Sequence, residues 1–285
     1  MTGYTAQTDS FARDRLPAAA DLPEFLFELP ELRFPGRLNA ATLLLDDQAA
    51  GAGAGRPAIY APGWTWTYAD LLEAANRIAQ VLTDDFGVKP GNRVLLRAPN
   101  NPMLAACWFA VLKAGAIAVA TMPLLRAADL EPVIDKARCQ LALADARLAD
   151  ELLAARHGGS LARICWFNGD GADDDLEARM RGKSGRFTNV DTASDDIALI
   201  AFTSGTTGDP KGTVHFHRDV MAMCKSFGTR VLGPRPDDIF IGSPPLAFTY
   251  GLGMLLAFPL HAGAATVLLE QAAPADLAAA IARFG

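Results

Sequence analysis

The sequence has no excess of positive charge. Its 26 lysines and arginines are outnumbered by 32 aspartates and glutamates, which gives a formal net charge of −6. An extended nucleic-acid-binding face needs clustered basic residues to contact phosphates, so this composition argues against that class of function. A single anion site remains compatible with an acidic protein, because a few local donors suffice to bind a phosphate group.

Cysteines are few and widely separated. The four are Cys107, Cys139, Cys165 and Cys224, and no two of them form a CxxC pair. Such spacing is typical of buried, unpaired thiols in a reducing compartment. A zinc site would need ligands at closer spacing, so the cysteines predict no metal.

Long uninterrupted apolar runs are also missing. The first twenty residues carry four charged side chains and no apolar core, unlike a signal peptide. The two most apolar stretches, 103–122 and 252–269, contain Lys113 and Pro259. Each is typical of a buried helix that runs into a buried strand. The sequence therefore predicts a cytoplasmic protein that binds neither membrane nor nucleic acid.

The composition otherwise favours a well-packed fold. Hydrophobic residues make up 51% of the 285 residues and charged residues 20%, enough for one large domain or about two ordinary ones. A β-hairpin is predicted around the Pro62-Gly63 turn, and strand and helix patterns alternate after it. Strands are predicted at 94–96, 117–120, 141–144, 163–167, 197–202, 213–216, 239–241 and 265–269. This alternation indicates an α/β fold with layered, mostly parallel sheets flanked by helices.

A polar stretch at 168–194 interrupts the alternation and suggests a boundary. We expect an N-terminal arm, helix and linker at 1–57, a first α/β lobe at 58–190, and the start of a second lobe at 191–285. The glycine run Gly51–Gly55 lacks GxGxxG spacing and follows a predicted helix, so we interpret it as a linker and not as a dinucleotide fingerprint.

A loop rich in glycine and hydroxyl groups lies between two strands of the second lobe. Glycines let successive backbone N–H groups curl around an anion, hydroxyls add donors, and a lysine adds a positive charge. The candidate ATP phosphate-binding residues are Thr203, Ser204, Gly205, Thr206, Thr207, Gly208 and Lys211. Charge-assisted hydrogen bonds of this kind contribute roughly 1.5–3 kcal/mol each.

This loop differs from two common motifs. A Walker A loop counted from Gly205 would need Gly-Lys-Ser/Thr at 210–212, where the chain has Pro210, Lys211 and Gly212. A nucleophile elbow would need glycine in place of Phe202.

The segment 202–212 resembles the signature of the adenylate-forming superfamily, which contains acyl-CoA and aryl-CoA synthetases, luciferases and peptide-synthetase adenylation domains. The resemblance implies that the loop binds the β- and γ-phosphates of ATP. A substrate carboxylate then attacks the α-phosphorus, pyrophosphate leaves, and a thiol captures the acyl-adenylate. ATP, Mg²⁺ and coenzyme A are the implied cofactors and cosubstrates.

The stretch 243–253 indicates which acid is activated. It resembles the corresponding motif of benzoate–CoA and 2-aminobenzoate–CoA ligases, which implies that Phe248 borders the pantetheine tunnel and that Thr249 and Tyr250 line the acid pocket. Gly251 then opens the next helix without side-chain bulk. The alternative from the residues alone is that Phe248 and Tyr250 form the first core turn of that helix.

Two histidines follow the loop. His215 and His217 would share one face of a continuous strand, but no third ligand lies nearby in sequence, so a metal pair is disfavoured. The family has a histidine at the position of His217, which implies packing or hydrogen bonding near the phosphates.

Later family motifs are absent from the sequence, including those that contact adenine and ribose. The resemblance therefore implies a truncated N-terminal domain over 1–285, with the C-terminal domain and its catalytic lysine beyond Gly285 and little activity of this chain alone. The expected ligands are a small aromatic acid, ATP and coenzyme A, and a homodimer is compatible with the sequence. A fatty acyl-CoA ligase, a peptide-synthetase adenylation domain and a non-catalytic nucleotide-binding fragment remain alternatives.

Overall fold

A computed structural model describes residues 3–156, 159–172, 175–203 and 209–284. Its strands alternate with helices along most of the chain. The strands are β1 Pro57–Ala61, β2 Trp64–Thr67, β3 Arg93–Arg97, β4 Ile117–Thr121, β5 Leu141–Asp145, β6 Arg163–Phe167, β7 Ile197–Thr203, β8 Lys211–Phe216, β9 Ile239–Ile241 and β10 Ala265–Val267. The helices are α1 Tyr68–Gln80, α2 Pro102–Lys113, α3 Ala127–Ala137, α4 Ala149–Ala155, α5 Leu176–Arg181, α6 His217–Met223, α7 Thr249–Leu252, α8 Phe258–His261 and α9 Pro274–Phe284.

Several short helical turns extend or connect these elements. The π-helical turns lie at Thr42–Asp46, Val81–Asp85, Cys224–Leu232 and Gly253–Ala257, and 3₁₀ turns lie at Arg13–Arg15, Ala19–Asp21, Pro30–Leu32, Gly51–Gly53 and Ala146–Leu148. The helix predicted just before the Gly51–Gly55 run is thus confined largely to the π turn Thr42–Asp46.

Two sheets organise the fold. The first has the strand order β2-β1-β10-β9, and the second has the order β6-β5-β3-β4-β7-β8. The β1–β2 and β7–β8 pairs are antiparallel, and the other neighbouring strands run parallel. The predicted α/β class with mostly parallel sheets is confirmed.

Both sheets contain strands from either side of residue 190. The hairpin β1–β2 joins β9 and β10 in the four-stranded sheet, while β7 and β8 extend the sheet that β3 to β6 begin. The division at residue 190 therefore does not separate the sheets, because strands distant in sequence complete each other's hydrogen bonding.

Local sequence signals explain where the main helices start. Asp70 N–H donates to Thr67 Oγ1 (3.1 Å) and Thr67 N–H donates to Asp70 Oδ2 (2.8 Å), a capping box that opens α1. Leu104 N–H donates to Asn101 Oδ1 (2.9 Å), and Pro102 occupies the first position of α2.

The six-stranded sheet is buried on both faces. Along β3, Val94 and Leu96 pack into the core that α1 and α2 share, whereas Leu95 packs into a second core with Val133 and Ile134 of α3. Alternate side chains of a strand point to opposite faces, so one apolar strand serves both cores. Of the helices that the structure describes, none combines the length and apolar character needed to cross a membrane.

Candidate functional site

The candidate phosphate loop is closed at its base by two antiparallel strands. Thr203 ends β7, Lys211 begins β8, and the two residues face each other in register. Thr203 Oγ1 lies 3.5 Å from the Lys211 carbonyl oxygen. The remaining predicted loop residues, Ser204, Gly205, Thr206, Thr207 and Gly208, lie outside the described residues. The structure therefore places both ends of the loop at the carboxyl end of β7.

Gly212 fits tightly against β7. A Cβ at this position would lie 2.9 Å from Ile200 Cγ2 and 3.3 Å from Phe202 Cζ. Contacts that short require the Ile200 and Phe202 side chains to shift. The glycine that follows Lys211 thus allows β8 to pack close to β7 at the base of the loop.

Lys136 on α3 contacts the second end of the loop. Its ammonium donates a hydrogen bond to the Pro210 carbonyl oxygen at 2.8 Å. Pro210 directly precedes Lys211, so two lysines lie on this side of the loop. Sequence reasoning missed Lys136, because 74 residues separate it from Pro210 and no local pattern links the two.

Part of the predicted acid pocket lies beside β7. Phe248 and Thr249 line a narrow recess together with Ala201 of β7, Ala120 of β4 and Trp108 of α2. Its cavity volume is about 10 Å³, which is room for about one water molecule. The structure thus brings Phe248 and Thr249 to the strand that leads into the phosphate loop.

The two aromatic rings of this segment are exposed. Tyr250 is 67% exposed and Phe248 is 43% exposed, so both rings are open to solvent. The interpretation of these two rings as a buried core turn is therefore wrong.

Gly251 is buried, and a Cβ there would lie 2.0 Å from the Pro245 carbonyl oxygen. The helix can start under the Pro244-Pro245 backbone only because this position has no side chain.

The turn that carries these residues is held by a buried asparagine. Asn100 Nδ2 donates to the Pro244 carbonyl oxygen (3.0 Å), and Leu246 N–H donates to Asn100 Oδ1 (2.8 Å). Asn100 is 6% exposed. Sequence reasoning missed this role of Asn100, since a contact spanning more than 140 residues leaves no local signal.

The structure does not bring His217 to Lys211. Strand β8 ends at Phe216, and His217 begins α6, so His215 and His217 do not share a strand face as expected. Six residues separate His217 from Lys211, roughly 20 Å at 3.3 Å per residue. His217 is completely buried, and its Nδ1 accepts a hydrogen bond from Ala40 N–H (3.1 Å). Burial lowers the pKa of His217 to about 3.

A larger cleft of about 820 Å³ lies between the β1–β2 hairpin, the start of α2 and α9. Glu270 on its rim accepts hydrogen bonds from Asn101 Nδ2 (3.0 Å) and from both terminal nitrogens of Arg147 (2.7 Å each). The bonds from Arg147 lower the pKa of the Glu270 carboxyl group. This carboxylate is therefore already held by protein donors.

Within the described ranges, no three His, Cys, Asp or Glu side chains lie close enough together to hold a metal ion. The four cysteines are all buried.

Comparisons with known proteins agree with this geometry. The sequence model of the family described as "AMP-binding enzyme" matches residues 45–285. The chain is 30% identical over 244 residues to benzoate–CoA ligase of Thauera aromatica, covering 85% of the chain and 46% of that protein. It is 31% identical over 205 residues to anthranilate–CoA ligase of Pseudomonas aeruginosa, covering 70% of the chain and 37% of that protein.

Solved structures show the same relationship. The anthranilate CoA ligase AuaEII, crystallised with anthranoyl-AMP, superimposes with a TM-score of 0.82 at 25% identity, covering 90% of the chain and 49% of AuaEII. A benzoate CoA ligase of Burkholderia xenovorans LB400 gives a TM-score of 0.77 at 26% identity, covering 86% of the chain and 48% of the ligase. The chain spans about half the length of the relatives it matches.

Proposed function

The chain belongs to the AMP-binding enzyme family, and we propose that the protein activates an aromatic acid of the benzoate or 2-aminobenzoate class with ATP and transfers it to coenzyme A. One observation carries the proposal. Phe248 and Thr249 line a recess against Ala201, two residues before the end of β7, where the phosphate loop begins. An acid held there lies beside a nucleotide held by the loop.

The loop acts on the phosphates of ATP. Lys211 and the hydroxyl groups of Thr203, Ser204, Thr206 and Thr207 bind the β- and γ-phosphates, and the loop glycines bring backbone N–H groups close. The substrate carboxylate oxygen attacks the α-phosphorus, and the bond to pyrophosphate breaks. Lys211 stabilises the charge that develops on the leaving pyrophosphate, so the protein contributes chiefly positioning and electrostatics.

The acid binds at the mouth of the recess and not deep within it. A recess of about 10 Å³ does not admit a benzene ring. The exposed faces of Phe248 and Tyr250 offer aromatic surface at that mouth, where offset stacking contributes about 0.5–1.5 kcal/mol beyond area burial. Thr249 offers a hydroxyl group to a ring substituent such as an amine.

The thiol of coenzyme A completes the reaction by attacking the acyl carbon, with AMP as the leaving group. Phe248 borders its approach in this proposal. Mg²⁺ would be held chiefly by the phosphates of the nucleotide and by water, with at most one or two protein carboxylates, and would neutralise phosphate charge.

We also propose the compartment in which the protein acts and how much of the reaction this chain completes. Buried cysteines that lie far apart in the sequence favour a reducing compartment such as the cytoplasm. Because the chain covers about half of its relatives, we propose that these 285 residues by themselves bind ATP weakly and do not complete the reaction.

Pyrophosphate exchange into ATP by the full-length protein tests the proposal. We expect exchange that depends on benzoate or 2-aminobenzoate and is much slower with octanoate. Efficient exchange with octanoate and none with either aromatic acid would exclude the aromatic assignment. Acyl-AMP synthesis by the 285 residues alone would contradict the proposed limit on their activity.

A further inference from the structure

We propose that Asn100 is a positioning residue for the acid pocket and that it contributes to selectivity for the acid without touching it. This inference rests on the proposed function, since it concerns the same pocket. Asn100 follows β3, whereas Phe248 and Thr249 belong to the connection after β9. The Asn100 amide joins these two segments, which belong to different sheets.

The geometry gives the amide two separate tasks. Its Nδ2 donates to the Pro244 carbonyl oxygen, and its Oδ1 accepts from Leu246 N–H. The two bonds bracket Pro245 and fix the backbone on both sides of it. Proline has no N–H, so Leu246 N–H is the first backbone donor available after Pro244 and Pro245.

The bracketed turn leads directly into the pocket. Phe248 N–H donates to the Pro245 carbonyl oxygen (3.1 Å), and Leu252 N–H donates to the Phe248 carbonyl oxygen (2.8 Å). Gly251 packs under the same carbonyl group of Pro245 with no room for a Cβ. A shift at Pro245 is therefore transmitted to Phe248 and Thr249 through contacts that cannot stretch far.

Burial raises the free-energy cost of breaking the two Asn100 hydrogen bonds. Asn100 is 6% exposed and Leu246 is 4% exposed, so water does not readily replace a lost partner. Leaving a buried donor or acceptor unpaired costs enough to change a local equilibrium by about tenfold or more. A side chain that only filled space would not require an amide with one donor and one acceptor in this orientation.

The chain supplies a matched control in the next residue. Asn101 is also an asparagine that is 6% exposed, and its amide is also hydrogen-bonded at both ends. Its Oδ1 caps α2, however, and its Nδ2 donates to Glu270, so neither bond reaches the Pro244–Leu246 turn. Asn101→Ala therefore tests for a general loss of stability near α2.

The first arm of the experiment follows hydrogen exchange at the backbone amides of 243–252 in the 285-residue chain. We expect the Leu246 amide to exchange about tenfold faster or more in Asn100→Ala. Asn100→Asp keeps an acceptor for this amide and loses the donor to Pro244, so Leu246 should stay protected there. Asn101→Ala should leave it protected as well. Unchanged protection of Leu246 in Asn100→Ala would overturn the proposal.

The second arm measures KM values in pyrophosphate exchange by the full-length protein. Asn100→Ala should raise KM for the aromatic acid about tenfold while KM for ATP stays within twofold. Asn101→Ala should lower the melting temperature and leave the ratio of the two KM values unchanged. A parallel rise of both KM values in Asn100→Ala would show a general effect on folding and refute a role in acid selectivity. If the wild-type protein exchanges with no aromatic acid, the proposed function fails, whereas the Leu246 amide still decides whether Asn100 holds the turn.

Discussion

The ammonium group of Lys136 hydrogen-bonds the carbonyl oxygen of Pro210 at 2.8 Å and so connects helix α3 to the end of the candidate phosphate loop. Carbonyl groups are acceptors, so the bond places a positive charge beside the backbone that leads to Lys211. Helix α3 lies in the layer that packs on one face of the six-stranded sheet. The bond thus ties Pro210, at the described end of the loop, to the layer of helices on that face of the sheet.

Lys136→Met is expected to weaken ATP binding about two- to fivefold, because an exposed charge-assisted contact contributes only modestly. The affinity for the aromatic acid should not change. Titration calorimetry with ATP at low and high salt measures the effect, which should shrink as salt screens the charge. Lys89→Met is the control. Lys89 is also exposed, and its substitution removes the same charge from a turn before β3. Equal losses in both variants would mean that only the net charge matters.

Gly212→Ala is expected to destabilise the base of the loop by about 1–3 kcal/mol, the usual cost of inserting a methyl group into a packed contact. The new Cβ would lie 2.9 Å from Ile200 Cγ2. Urea unfolding measures the change in the free energy of unfolding. At Gly55 a Cβ would meet no described atom within 4 Å, so Gly55→Ala should change stability by less than about 0.5 kcal/mol. A Gly212→Ala variant as stable as the wild type would show that the Ile200 and Phe202 side chains can make room for the methyl group.

Local patterns predicted much of the fold and only part of the site. The β1–β2 hairpin and the apolar strand β3 depend on residues close together in sequence, so both could be predicted directly. The contacts of Lys136 with Pro210 and of Asn100 with Leu246 depend on which strands become neighbours. Sequence spacing carries no information about that arrangement.

His215 and His217 lie on different elements for a local reason. Alternation along a continuous strand would put both on one face. Strand β8 ends at Phe216, as the predicted strand 213–216 does, and Phe216 N–H donates to Asp219 Oδ2 (2.8 Å), which helps to start α6. His217 is therefore buried in the first turn of α6.

His217 should make stability depend on pH. Its pKa is about 3 in the folded protein, because burial disfavours the charged ring, and 6.5 is the ordinary value for an exposed histidine. Between these values the unfolded chain binds a proton that the folded chain does not, so stability rises with pH and is lost as pH falls from about 6.5 towards 3. The slope is about 1.4 kcal/mol per pH unit.

His217→Asn isolates that contribution. The asparagine Oδ1 can accept from Ala40 N–H in place of the imidazole Nδ1, and it does not titrate. We expect the free energy of unfolding of the wild type to fall relative to the variant by about 2–3 kcal/mol between pH 7 and pH 4.5, measured by urea unfolding at each pH. Parallel curves for the two proteins would mean that His217 can be protonated in the folded state.

The exposed ring of Tyr250 provides the most direct test of the aromatic acid. We expect Tyr250→Ala to raise KM for benzoate or 2-aminobenzoate about two- to twelvefold, the range that offset stacking contributes. Tyr250→Phe should stay within twofold of the wild type, because the ring face and not the hydroxyl group makes the contact. Initial rates of pyrophosphate exchange over a range of acid concentrations give these values.

The exposure of Tyr250 also decides how the result is interpreted. At 67% exposure the ring contributes little to the core, so Tyr250→Ala should unfold at the same temperature as the wild type. KM for ATP should not change, because the phosphate-binding groups lie at the end of β7 and the start of β8. A rise in KM for octanoate as large as that for benzoate would show that Tyr250 shapes the entrance to the pocket without recognising an aromatic ring, and the aromatic assignment would then depend on Phe248 and Thr249 alone.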